Sequence, residues 1–433
     1  MKINEAKYSI GALVASGRFN VAPNIGSDMF DRIKNITFSA EDVKTYGDFV
    51  KAVGVTDEFK NVISTLKVEE GIIPAGFRPE LVFSNDGALC VDLVRDIAFE
   101  KNGKRRPGNM LFAANTANPY EVATMKDFIA KITTNPSIIY SNFIKNPKAN
   151  INNRFKTREE VMIELCKLAG PGVDISVELN NPFAPMDQIM EEISAFEEIL
   201  TKYRLIVKVP HTGPLNNENV QAYLNGSFPQ VYTGDAQSAF YGHRLAYELH
   251  NKGYRVNFTL MSDPHQTALG LLAKPAYFNA FVQKRYDTTS KMAELIDKLD
   301  TFGDAEYREQ LHAVMMKNDL LASDDTDIIK AESYARQLLT YRNFDNAEGS
   351  DGLDSVRHSL RVLRKANLPE TRLIICNTKT EKMYWDIDKV VTEPEFADMK
   401  QRVVFTAEPG YFAKFTGSQT IYNYQRSFLT AAD

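Results

Sequence analysis

The segment RLIVKVP (204–210) is an apolar run broken near its carboxyl end by Lys208. Burying an ammonium in such a run is costly unless it is paired or gives up its proton. An amine freed of that proton is the nucleophile of Schiff-base chemistry on carbonyl compounds. The alternative is a strand-end lysine whose stem is buried while its head reaches water. Three other runs are interrupted in the same way. VDISVEL (173–179) carries Asp174, Ser176 and Glu178, RVNFTL (255–260) carries Asn257 and Thr259, and MLFAAN (110–115) ends in Asn115. Side chains alternate across a strand, so Arg204, Ile206 and Lys208 share one face, as do Asp174, Ser176 and Glu178, and Leu111, Ala113 and Asn115. If these faces point to one interior, Lys208, Glu178, Asn257, Thr259 and Asn115 converge. A carboxylate, a hydroxyl and two amides around an amine suit attack on a carbonyl, proton relay and orientation of the substrate. Taken singly, an ion pair accounts for Glu178, and interior hydrogen bonding accounts for Asn257 and Thr259.

The elements that must hold these residues are legible from Asn109 onward. Strand-like runs lie at 110–115, 131–134, 173–179, 204–210, 255–260, 277–282, 372–377 and 402–407, and helical patterns lie between them. Thr157-x-x-Glu160 is a capping box. Met186, Ile189, Ile193, Phe196 and Leu200 keep helical spacing, as do Val356, Leu360 and Leu363. Eight strands with interleaved helices predict an α/β chain folded as a (β/α)8 TIM barrel, with its site at the carboxyl ends of the strands. An open doubly wound sheet is the alternative, but the GxGxxG and GxxxxGK[ST] loops are absent. Residues 1–107 are expected to be a mainly helical extension. It includes the capping signal Ser39-x-x-Asp42 and a brief strand pair near Leu81–Phe83 and Ala88–Val91. The basic stretch KNGKRRPGN (101–109) reads as a linker, with an anionic docking patch as the other reading, and residues 108–433 form the barrel with helical insertions. Within the insertion between Arg285 and Thr371, the acidic run SDDTD (323–327) reads as a helix boundary. The segment 217–237 is a long loop expected to line the site or serve assembly. Tyr384 and Trp385 are expected to pack the last helices.

Composition narrows the function classes. Lys and Arg number 51 against 56 Asp and Glu, a net charge of -5, so no global basic field invites nucleic acid. No segment has the roughly 18 to 20 consecutive apolar residues of a membrane span. The start lacks the apolar core of a signal peptide. Cys90, Cys166 and Cys376 are far apart, with no CxxC pair, which fits buried thiols in a reducing, cytoplasmic setting and no zinc site. No metal and no cofactor are expected.

In combination, these segments resemble the transaldolases and the related fructose-6-phosphate aldolases. ITTNPSII (132–139) is similar to the signature after the family's second strand, VDISVEL to the third-strand motif, IVKVP (206–210) to the fourth, RVNFTL with Gln266 and Ala268 to the fifth, and NAFVQKR (279–285) to the sixth. The resemblance runs over about 325 residues, from Asn109 to the C-terminus. It implies a metal-free class I enzyme of pentose-phosphate-type carbohydrate metabolism that transfers a dihydroxyacetone unit between sugar phosphates. Lys208 would form the Schiff base, Glu178 and Thr259 would hold the proton-shuttling water, and Asn257 would bind a substrate hydroxyl. Asn135 and Ser137 would shape the site. Barrels of this kind often associate, so a homo-oligomer is possible.

The departures bear on the chemistry. The family's first strand ends in D-T-x-D, whereas this chain has Asn115 and Asn118. An amide cannot take the proton that the first acid takes during carbon–carbon cleavage. Asp263, His265 and His211 are candidate substitutes. At the phosphate end, the family's arginine after the sixth strand is replaced by Lys284 beside Arg285. The seventh-strand arginine position holds Lys379, and the family's serine before the sixth-strand FVG is Asn279. Lysine gives a point charge where arginine gives a bidentate fork. Two other readings therefore stand beside transaldol transfer: an aldolase with an altered sugar substrate, and a non-catalytic sugar-phosphate-binding barrel.

Overall fold

The computed structural model describes residues 7–84, 87–226, 234–261, 263–376 and 378–432. Eight parallel strands close a barrel, here numbered along the chain as β1 Leu111–Asn115, β2 Lys131–Thr133, β3 Asp174–Glu178, β4 Leu205–Pro210, β5 Val256–Thr259, β6 Tyr277–Phe281, β7 Arg372–Cys376 and β8 Val403–Ala407. Each run expected to be a strand is one, and helices separate them, so the chain is a (β/α)8 barrel. The strands are apolar because both faces are covered, by the barrel interior on one side and by helices on the other. Five of the six residues of β4 are buried.

Register fixes which side chains share the interior. Lys208 pairs with Glu178 on β3 and with Asn257 on β5. Asn257 pairs with Tyr277, Asn279 with Ile374, Thr406 with Ala113, Ala113 with Lys131, and Asn115 with Thr133. The Lys131 ammonium lies 4.1 Å from the centroid of the Tyr277 ring. Strands β2 and β6 stand on opposite sides of the ring of eight, so the two can meet only through the interior. The alternate residues, such as Val209, Phe258 and Phe278, face the helices.

The helices begin where the sequence signals them. Thr157 and Glu160 form their reciprocal cap at 3.2 Å in both directions. Between β6 and β7, helices Val282–Phe302, Ala305–Lys317 and Ile328–Tyr341 share a separate core that includes Met292, Leu295, Leu311, Met315 and Leu338. Asp327 caps the third of these helices through the amides of Ile329 and Lys330, and Asp325 pairs with Lys330 at 2.7 Å, so the acidic run is a helix boundary. Tyr384 stacks on Phe415 at 4.3 Å, whereas Trp385 is two-thirds exposed and does not pack as expected.

The chain divides into two compact units. The first contains Met1–Pro107 with Ala169–Asp174 and Leu200–Arg204, and the second contains the rest. The expectation of a mainly helical extension is corrected. The first unit is mixed α/β, with short helices beside a four-stranded sheet of Asn20–Val21, Ala52–Val55, Leu89–Arg95 and Phe77–Phe83, and an antiparallel pair of Lys7–Ser9 with Thr37–Ser39. Its core is built from residues such as Ile33, Val53, Phe59, Phe77 and Val91. No described helix is long and apolar enough to cross a membrane.

Candidate active site

Lys208 donates from Nζ to Glu178 Oε2 at 2.9 Å, and the two side chains are 10% and 15% exposed. The contact follows from register: paired residues on adjacent parallel strands, both turned inward, bring amine and carboxylate together. It answers the cost of burying the lysine, since a buried charge needs a partner. It also places a carboxylate within proton-transfer distance of an amine that could act as nucleophile.

Below this pair runs a second polar chain. Lys131 Nζ donates to Ser176 Oγ at 2.6 Å, and Asn257 Nδ2 donates to the same oxygen at 3.2 Å. Asn257 is thereby held by one end of its amide, and its Oδ1 has no hydrogen-bond partner in the protein. Thr259 Oγ1 and Asn279 Oδ1 are buried and equally unpartnered. Buried polar atoms are nearly always satisfied, so several orphans on one inner face mark a surface prepared for a polar ligand or water. Asn279 Nδ2 lies 3.6 Å from Cys376 Sγ. Burial pushes the Cys376 thiol up to about 12, against the opposing pull of Asn279 and the Lys208 charge.

Asn115 ends β1 on the same inner face, in register with Thr133. Asn118 caps the helix Pro119–Met125 through Tyr120 N at 3.0 Å, and the intervening Thr116 donates to Glu121 at 2.6 Å. Asn135 Oδ1 accepts from Ile138 N at 2.8 Å, so its oxygen organises the turn after β2, and Ser137 is exposed.

The candidate substitutes for an acid at Asn115 have other surroundings. His211 is three residues past Lys208, an odd separation, and is turned to the outer face. There it stacks on Phe258 at 5.7 Å and meets His243 edge-on at 4.8 Å. Asp263 is paired with Arg285 at 3.1 Å. His265 begins the helix His265–Leu271.

The expected anion-binding cations separate in the same way. Arg285 is buried, and its guanidinium is taken up by Asp263 and by both oxygens of Asp354. Lys284 and Lys379 are exposed and line one groove beside the loop after β7. Of the long 217–237 loop, residues 227–233 lie outside the described residues. Lys131 and Cys376 were not foreseen as site residues. Lys131 carries the same signal as Lys208, a lysine within a strand, and Cys376 shares its face with Ile374. Among the described residues, no three His, Cys, Asp or Glu side chains group as metal ligands would.

Fold and site together define a (β/α)8 barrel with a buried lysine–glutamate pair on its inner face. No family model and no curated protein matches the chain.

Proposed function

We propose that the chain is a transaldolase-like class I enzyme that acts on sugar phosphates in the cytoplasm. The observation that carries this reading is the 2.9 Å pair of Lys208 and Glu178, set among the unpartnered polar atoms of Asn257, Thr259 and Asn279. In the reaction, Glu178 takes the ammonium proton and Lys208 Nζ attacks the C2 carbonyl of a ketose phosphate. The carbinolamine loses water to give the Schiff base, with Glu178 and Thr259 holding the water that carries the protons. Cleavage of the C3–C4 bond sends its electron pair into the iminium, releases an aldehyde and leaves a dihydroxyacetone unit on Lys208 as an enamine. The enamine adds to an acceptor aldehyde, and hydrolysis frees the product and the lysine. Asn257 orients a substrate hydroxyl, and Lys284 and Lys379 answer the anionic end. The scheme uses no metal or cofactor.

The proton leaving the C4 hydroxyl needs a base, and by the resemblance Asn115 stands where the transaldolases carry an acid. That amide favours a second reading, a barrel that binds sugar phosphates without turnover. Borohydride reduction in the presence of fructose 6-phosphate or dihydroxyacetone, followed by mass spectrometry, separates the two. The enzyme reading expects a stable adduct on the peptide containing Lys208 and none in Lys208→Ala. Intact protein with no adduct from either ketose rejects it.

A further inference from the structure

Lys131, at the start of β2, takes no part in the scheme above, yet its side chain is fully buried inside the barrel. Its Nζ donates to Ser176 Oγ on β3 at 2.6 Å and sits 4.1 Å from the centroid of the Tyr277 ring on β6. Burying an ammonium is costly, and an apolar side chain of similar length would fill the same space. The charge therefore calls for a reason beyond packing.

The bonds it enters supply one. Ser176 Oγ also accepts from Asn257 Nδ2 on β5, at 3.2 Å. Ser176, Asn257 and Tyr277 are fully buried, like Lys131. The chain from β2 through β3 to β5 passes beneath Lys208. Ser176 lies two residues before Glu178 on the same face of β3, and Asn257 is the register partner of Lys208. Strands β3 and β5 are separated by β4, so no backbone ladder joins them, and the Ser176–Asn257 bond spans that gap.

An asparagine amide has a donor end and an acceptor end of nearly the same shape. With Nδ2 tied to Ser176, Oδ1 is left for another donor, and it has no hydrogen-bond partner in the protein. Thr259 Oγ1, two residues on along the same face, is unpartnered too. Released from Ser176, the amide could turn over and offer N–H groups where the acceptor stands. A lysine only donates, so its ammonium holds Ser176 Oγ as an acceptor. The charge-assisted bond of 2.6 Å fixes that oxygen more firmly than the 3.2 Å bond from the amide alone.

We infer that Lys131 is a positioning residue: through Ser176 it sets Asn257 to present Oδ1 as an acceptor to a ligand hydroxyl. Lys131 itself touches no ligand. That the ligand is a ketose phosphate held at Lys208 rests on the function proposed above, whereas the hold of Lys131 on Asn257 does not.

Two measurements test this. The first needs no ligand: hydrogen exchange of the Asn257 side-chain amide, followed by nuclear magnetic resonance on asparagine-labelled protein and assigned with Asn257→Asp. Lys131→Met keeps the length of the side chain and removes its charge. It is expected to speed side-chain exchange at least about tenfold more than it speeds exchange of the Asn257 backbone amide. Ser176→Ala cuts the same chain at its middle and is expected to do likewise, so the test stands if one of the two variants fails to fold. An unchanged side-chain amide in the folded variants, or equal acceleration of both amides, would overturn the inference. The second measurement is the fructose 6-phosphate concentration that half-saturates the borohydride-trapped adduct on Lys208. It is expected to rise at least about tenfold in Lys131→Met with the same adduct at saturation, and to rise no further when Lys131→Met is added to Asn257→Ala. Multiplying effects of the two substitutions, or an adduct on Lys131, would also overturn it. A parent that forms no adduct rejects the Schiff-base reading, and the exchange measurement then decides the positioning role alone.

Discussion

An amine inside a barrel needs a counter-charge, and Lys208 has Glu178 at 2.9 Å. Under the proposed Schiff-base reaction, Asn115 is the residue on which the chemistry turns, because Glu178 is already engaged with Lys208. A positioned general base typically contributes about 100- to 10,000-fold. Asn115→Asp is therefore expected to raise transaldol turnover by at least about tenfold, measured as transfer from fructose 6-phosphate to an aldose acceptor. Unchanged turnover would mean that another group moves this proton or that the end of β1 lies away from the reacting bond. Most of the inner face is legible from the alternation of side chains, since Lys208, Glu178, Asn257, Thr259 and Asn115 all share it. Sequence proximity was the poorer guide where it replaced parity. His211 is close to Lys208 in number but faces outward. Arg285 is adjacent to Lys284, yet one step along a helix turns it from the groove toward buried Asp354.

At the scale of elements, the outer face of β4 and β5 carries its own titratable pair. His211 and His243 pack around Phe258, and both nitrogens of His243 lack a hydrogen-bond partner in the protein. Burial, reinforced by His243 and His265, lowers the His211 pKa to about 4, and burial lowers that of His243. Above the ordinary histidine value of about 6.5, folded and unfolded chains hold His211 neutral alike. As pH falls from there toward 4, the unfolded chain takes up a proton that the folded chain refuses, and stability is lost. His211→Gln removes that uptake. Between pH 7 and 4.5 its unfolding free energy in urea is expected to fall by roughly 2–3 kcal/mol less than that of the parent. An identical fall in both proteins would rule out His211 as the titrating group. The eight strands that carry such pairs are readable because double-sided burial makes apolar runs. The first unit hid most of its strands for the opposite reason, the part that showed being the expected pair near Leu81–Phe83 and Ala88–Val91, which is the turn end of a hairpin. Asn20–Val21 and Ala52–Val55 are too short to show a period, and Pro79, Glu80 and Asp92 break the apolar pattern of the hairpin of Phe77–Phe83 with Leu89–Arg95.

Across the whole molecule, the net charge of -5 coexists with a groove lined by four lysines, so overall charge is a poor guide to local charge. Exposed apolar surface is just as local. The last helix, Gln419–Ala432, has no buried residue, and Ile421, Tyr422, Tyr424, Phe428 and Leu429 are each between 45% and 68% exposed. Stability comes from surface removed from water, and this helix removes little, while the barrel closes by Ala407. Surface changes that disturb no buried contact stay within about 0.5 kcal/mol. A chain ending at Ser418 is therefore expected to melt within roughly 2 °C of the full chain by calorimetry and to keep the Lys208 adduct. A loss of more than about 5 °C would show that the helix's apolar side is covered in solution. Sedimentation of the full chain would then identify the cover: a concentration-dependent rise in mass, abolished by the truncation, would make it a second copy of the chain.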